Sequence, residues 1–258
     1  MALGFAAALG GGTRRQPPDV WTEPVTGMRF VRVSAGSFTM GTPLGVEDRE
    51  AEEVPHRVTL TRTVYLGQFE VTQRQWAGVM GENPSHFQAC GGGCPVERVS
   101  SLDIQAFIER LATQTGARFR LPTEAEWAYA CRAGTATPYA TGDPLTTDQA
   151  NFNGTFPNPG APVGDYRKTT TPVGSFPPNA WGLYDMHGNV WEWTEDEHCP
   201  YPDRPVTDPV GRCAAETRVI RGGSWYFDAN SARCGLRYDH RPQDSGFSLG
   251  FRLARDAK

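Results

Sequence analysis

No stretch of this sequence is apolar over the ~20 residues that a membrane-spanning helix requires. The nearest approach, MALGFAAALGGG at the N-terminus, is shorter and has no positive charge ahead of it. Two readings of it stay open: the remnant of a trimmed secretion signal, and a floppy terminus. Runs of Lys and Arg are also missing, and 25 basic against 29 acidic residues leave a net charge of −4. Such a chain offers no basic stripe, so nucleic acid is set aside as a partner. There is no internal repeat, no low-complexity tract and no linker that would separate one core from another, which makes one domain the simplest organisation. The G-x-S-x-G, H-E-x-x-H and phosphate-loop signatures are absent as well, and a hydrolase reading is left without its usual nucleophile setting.

What the chain does contain is 29 Gly, 21 Pro and 11% aromatic residues among only 38% hydrophobic ones. That balance predicts an α+β fold rich in loops and held by Trp, Tyr and Phe more than by long aliphatic elements. The segment PDVWTEPVTGMRFVRVSAGSFTMGT alternates around Met28, Phe30, Val31 and Val33, then meets Gly36 and Gly41, and reads as a β-hairpin. HRVTLTRTVYLGQFEVT continues with strand-like residues. Thr72 with Gln75 and Thr123 with Glu126 have the spacing of a helix N-terminal capping box, and Ser100 with Asp103 is a weaker version. In the middle helix Phe107, Ile108 and Leu111 share a face, with Gly116 just past the end. In the third, Trp127 and Cys131 are four apart, which turns the cysteine toward the core. From 134 to 178 the chain reads as an irregular excursion, and such a length inside a compact domain needs a pin. Bound metal is one candidate.

Six cysteines permit disulfides, and with them an extracytoplasmic or cell-surface location, while leaving the pairing open. Cys90 and Cys94 in CGGGC read as a local disulfide, because the second ligand pair of a metal knuckle is missing. Cys199 and Cys213 enclose a Pro-rich loop whose closure would contribute about 3 kcal/mol. Among the histidines, His56 and His86 read as surface or turn residues and His187 as a hydrogen-bonding member of GLYDMHGNVWEW. His240, beside Tyr238 and Asp239, stands among candidate binding residues. In GLYDMHGNVWEW, Asp185 and Glu192 bring hard carboxylate oxygens to a glycine-containing turn whose carbonyls could complete the roughly 6 to 8 oxygens that calcium takes.

Three blocks occur in order: RLPTEAEWAYACRAG at 120–134, NAWGLYDMHGNVWEWTED at 179–196, and RVIRGGSW to GFRLAR at 218–255. Together they resemble the formylglycine-generating enzyme family, or sulfatase-modifying factor domain, over roughly residues 25 to 255. The resemblance implies a variant of the C-type lectin fold for 25–258, with 1–24 as an N-terminal extension. Catalysis in that family depends on two cysteines shortly after the GGS block, whose soft thiolates suit Cu(I) in the oxygen-dependent conversion of a substrate cysteine. Here Gly222, Gly223 and Ser224 are followed by nine residues without sulfur before Cys234. The resemblance makes Cys234 the structural partner of Cys131, which with the two local pairs would use all six cysteines, and no copper is expected. It further implies two calcium sites. One comprises Asp185, Glu192 and the carbonyls of Gly188 and Val190; the other comprises Asn151, Asp165 and the carbonyls of Phe152 and Arg167. For the second, Asn and Asp acting as ordinary turn caps is an equal reading.

Without the cysteine pair, the 221–255 region leaves a groove furnished with Tyr226, Phe227, Asp228, Asn230, Tyr238, Asp239, His240, Arg241, Asp244, Phe247 and Ser248. Rigid aromatics mixed with adaptable polar groups are the chemistry of a binding surface. Trp225, Leu236, Leu249, Phe251 and Leu253 are assigned to the core beneath. The frame, RGGSW and GFRLA with such residues between, also resembles the variable proteins of diversity-generating retroelements, which share the fold. The expected function is therefore non-catalytic binding of a protein or cell-surface molecule. The alternative is an enzyme of the formylglycine-generating family acting in the same groove. Sulfoxide synthases also use this domain, but their H-x-x-x-H-x-E pattern is absent, which ranks them last.

Overall fold

A computed structural model describes residues 19–46 and 49–257. In chain order its first elements are β1 (Val20–Thr22), β2 (Arg29–Val33), β3 (Gly36–Met40), β4 (His56–Leu60), β5 (Val64–Gly67), α1 (Gln73–Met80), α2 (Ser101–Thr115) and α3 (Glu124–Arg132). Then follow β6 (Trp191–Glu197), β7 (Val206–Thr207), β8 (Arg218–Arg221), β9 (Tyr238–His240), β10 (Leu249–Gly250) and β11 (Ala254–Asp256). They form three sheets, ordered β1-β2-β5-β11, β10-β6-β8-β9 and β3-β4-β7.

All three helices begin with the capping box that the spacing predicted: Thr72, Ser100 and Thr123 each accept from the third helical N–H, and Gln75, Asp103 and Glu126 reach back. Gly116 ends α2 in the left-handed conformation. The expected hairpin forms one strand earlier than the pattern suggested. β2 pairs with β1 and β5, while β3 pairs with β4. Glu23 explains the shift: its carboxylate accepts from the backbone N–H of Val25 and Thr26 and from the Thr26 hydroxyl, building the tight connection from β1 to β2. The first sheet thus starts at Val20, inside the segment read as an extension.

β2 buries side chains on both of its faces and leaves Arg29 and Arg32 exposed. Phe30 packs into the main core with Trp76, Phe107 and Phe251. Val31 and Val33 pack on the other side with Trp127, Cys131 and Cys234 from α3 and the C-terminal segment. The C-terminal residues assigned to the core, Trp225, Leu236, Leu249, Phe251 and Leu253, are all buried. His56 departs from its reading as a surface residue: it is 7% exposed on β4, with its Nδ1 3.0 Å from the Val54 carbonyl and its ring on Tyr201.

The cysteines form three bridges, Cys90–Cys94, Cys131–Cys234 and Cys199–Cys213. The second ties α3 to the segment beneath the candidate groove across a sequence separation of 103. Residues 134–178 contain no helix or strand. Polar side chains pin them instead. His187 accepts from the Ala140 N–H and donates to the Ala232 carbonyl, and Asn189 accepts from the Thr171 N–H. Burial pushes the His187 imidazole down to about 4, so it is held neutral.

Candidate binding face and cation sites

The segment after Gly222 turns sharply because of two left-handed glycines. At Gly223, φ 72°, a Cβ would lie 2.8 Å from the Ser231 carbonyl oxygen. The backbone beyond is fastened from behind. Trp225 N–H donates to Asn189, the Phe227 carbonyl accepts from Asn153, and Tyr139 donates to the Ala229 carbonyl. Arg221, buried, donates to the carbonyls of Cys234, Gly235 and Leu236. Arg233, equally buried, forks onto Glu53.

On this frame stand four large aromatics that remain in solvent: Tyr226 (49% exposed), Phe227 (40%), Tyr238 (54%) and Phe247 (46%). They form one patch. Tyr226 lies 5.5 Å from Phe227 and 6.1 Å from Phe247, and the half-exposed His240 lies 6.0 Å from Tyr238. Trp191 joins the two ends beneath, 5.8 Å from Phe227 and 6.0 Å from Tyr238. Asp244 caps the turn by accepting from the Arg241 N–H and sits 3.6 Å from His240.

Other residues expected here act differently. Asp228 accepts from the backbone N–H and hydroxyl of Ser231, and Asn230 accepts from Arg233, so both hold the loop. Ser248 contributes its carbonyl to Trp191, and Asp239 faces His198 at 3.8 Å. The sequence reading missed Tyr166, Phe87 and His86, which border the patch. Tyr166 stacks at 6.2 Å on Trp225, Phe87 meets Trp225 edge-on at 5.1 Å, and His86 lies 6.2 Å from Phe247. They come from distant segments with no motif to announce them.

The first calcium set is divided by its hydrogen bonds. Both oxygens of Glu192 are engaged by Arg252 at 2.6 Å, and one also accepts from the Trp127 indole at 2.8 Å. Asp185 accepts from Gly174 N–H with Oδ2, while its Oδ1 is buried with no partner. Glu70 Oε1 and Asn151 Oδ1 are likewise buried and unpartnered. Burial, and then the charges of Asp185 and Glu192, raise the Glu70 carboxyl well above its ordinary range. Burial holds Asp185 up at about 6. Orphaned hard oxygens of this kind fit a hard cation. Asp185 of the first set and Asn151 of the second each present an unpartnered oxygen, Glu70 adds a donor that the sequence reading did not contain, and both Glu192 oxygens already accept from Arg252. Gly188 sits where only glycine fits, since a Cβ there would meet the Asn151 carbonyl at 2.2 Å. In the second set Asp165 points to solvent, 77% exposed and 3.6 Å from Arg167, whose guanidinium donates to the Thr147 carbonyl.

Residues 16–257 match the Sulfatase-modifying factor enzyme 1-like domain. The formylglycine-generating enzyme of Mus musculus is 36% identical over 90% of this chain and 76% of its own length. That of Streptomyces coelicolor is 43% identical over 54% of this chain, which spans about half (47%) of that relative. Among solved structures, Treponema denticola variable protein 1 superposes with a TM-score of 0.78 at 28% identity, covering 93% of this chain and all of that one. PvdO from Pseudomonas aeruginosa gives the same TM-score at 30% identity over 95% of this chain and all of that one. The fold is accordingly the C-type lectin-like arrangement of the formylglycine-generating enzymes, and the chain belongs to the sulfatase-modifying factor family.

Proposed function

We propose that this protein is a non-catalytic, ligand-binding member of its family that grips a protein or cell-surface molecule with the Tyr226, Phe227, Tyr238 and Phe247 face. One observation carries the reading: four exposed aromatics form a single patch on a backbone fixed from behind. Residues that bring large contact area with few rotatable bonds are those that dominate interfaces. Among the described residues the groove has no thiol pair for copper. Cys234, the first cysteine after the GGS turn, is bonded to Cys131. The likeness to a protein titled a variable protein supports diversification of 221–255, and a near-repeat of the coding sequence beside a reverse transcriptase, differing at adenines, would test it. Three disulfides support an extracytoplasmic home. The orphaned oxygens around Glu70, Asp185 and Asn151 support a structural calcium ion.

The test pans a displayed peptide library on the wild-type chain and on Tyr226→Ala/Phe227→Ala/Tyr238→Ala/His240→Ala. Clones that prefer the wild type by about tenfold or more are expected, the loss of one or two anchor contacts. Equal enrichment on both overturns the reading. The enzyme alternative is favoured by the relatives' names, and it predicts turnover of a cysteine-containing peptide under oxygen.

A further inference from the structure

We infer that a second site, which shares no residue with the aromatic face, binds a ligand carrying a phosphate or sulfate ester at the open end of the β1-β2-β5-β11 sheet. Arg32 on β2 and Arg255 on β11 are both register partners of Tyr65 on β5. Directly paired residues point to the same face, so the two guanidinium groups flank Tyr65 from strands about 10 Å apart. Trp21 on β1 meets Tyr65 edge-on at 6.2 Å, and Arg62, just ahead of β5, closes the end. These residues line a cavity of about 670 Å³.

The positive charge there is only partly neutralised by its surroundings, since three arginines share the cavity lining with one carboxylate, Asp256. Among the described residues Arg62 has no hydrogen-bond or ion-pair partner. Arg32 donates only to the Ser34 hydroxyl at 3.2 Å, and Arg255 lies 4.4 Å over the Trp21 ring. Of the nearby acids, Asp256 lies 2.6 Å from Arg120, which also forks onto Glu126, and Glu23 is held by the turn it builds while feeling the Arg255 charge. A second cavity of about 740 Å³ continues beyond Arg255 and adds Arg118.

Guanidinium forks match the paired oxygens of phosphate and sulfate, and the rings of Trp21 and Tyr65 offer apolar surface to the esterified group. The concave shape suits a ligand that enters it and not a flat lipid surface. The ester belongs either to a small molecule or to a sulfated sugar chain that runs on toward Arg118, and the probes separate these sources.

Titration calorimetry on the full chain would use phenyl phosphate and a heparin-derived sulfated hexasaccharide. Saturable, salt-sensitive binding of at least one is expected, and the probe that binds identifies the source. Arg32→Ala/Arg62→Ala, two exposed positions whose loss leaves the core intact, should weaken it by about tenfold or more. Arg57→Ala, exposed on β4 in another sheet, should leave it unchanged. Circular dichroism verifies that each variant is folded. Absence of binding by both probes, or equal binding by the double variant, overturns the site.

Discussion

Asp196 shows how burial sets the behaviour of a single residue. It is 4% exposed on β6, accepts from the backbone N–H of Glu124 and of Gly211, and stands near the Glu124 carboxylate. Burial first, and Glu124 second, push its carboxyl from 3.8 up to about 7. Between those values the folded chain holds a proton that the unfolded chain has released, so this group's contribution to stability declines as pH rises from about 4 to about 7. Asp196→Asn is neutral throughout and should gain on the wild type from pH 5 to pH 8 in calorimetric melting, by at most about 1.4 kcal/mol per unit of pKa difference. A gap that does not change with pH would rule out this assignment. Such residues were invisible in the sequence. Composition cannot say which charges go inside, and Arg221, Arg233, Arg237 and Arg252 gave no sign of being buried. Asp228 and Asn230 carried the right chemistry for a contact surface, yet their oxygens serve the loop itself.

At the level of elements, what depends on near neighbours was legible and what depends on distant ones was not. The three helix starts were readable because a capping box spans only four residues. Strand pairing was less so: the Glu23 turn that joins β1 to β2 carries no familiar signature, and the second partner of β2, β5, lies far along the chain. The frame of the aromatic face was readable from RGGSW and GFRLA, whereas Tyr166 and Phe87 at its border, and Glu70 in the carboxylate cluster, arrive from segments without a signature. The Cys131–Cys234 bridge joins two distant regions, and it was legible only through the family resemblance of the blocks that hold them. Replacing both cysteines by serine should lower stability by about 2–5 kcal/mol in urea unfolding. An unchanged midpoint would show that α3 holds its place without the tether.

For the molecule as a whole, the long excursion and the carboxylate cluster meet at Asp185, so an ion there would couple loop order to global stability. Melting with calcium at about 100 times its dissociation constant should raise stability by about 2.7 kcal/mol over chelated protein, or several degrees at this size. Glu70→Gln with Asp185→Asn should remove most of that gain. A calcium-independent melting temperature in the wild type would remove the ion from the account. The backbone beneath the aromatic patch is secured by Arg221, by the bridge at Cys234 and by hydrogen bonds from the 134–178 excursion. The outward side chains of Tyr226, Phe227, Tyr238 and Phe247 supply little of that support. Side-chain identity at the tips of this surface and foldability are thereby uncoupled, so substitutions there leave the scaffold beneath in shape.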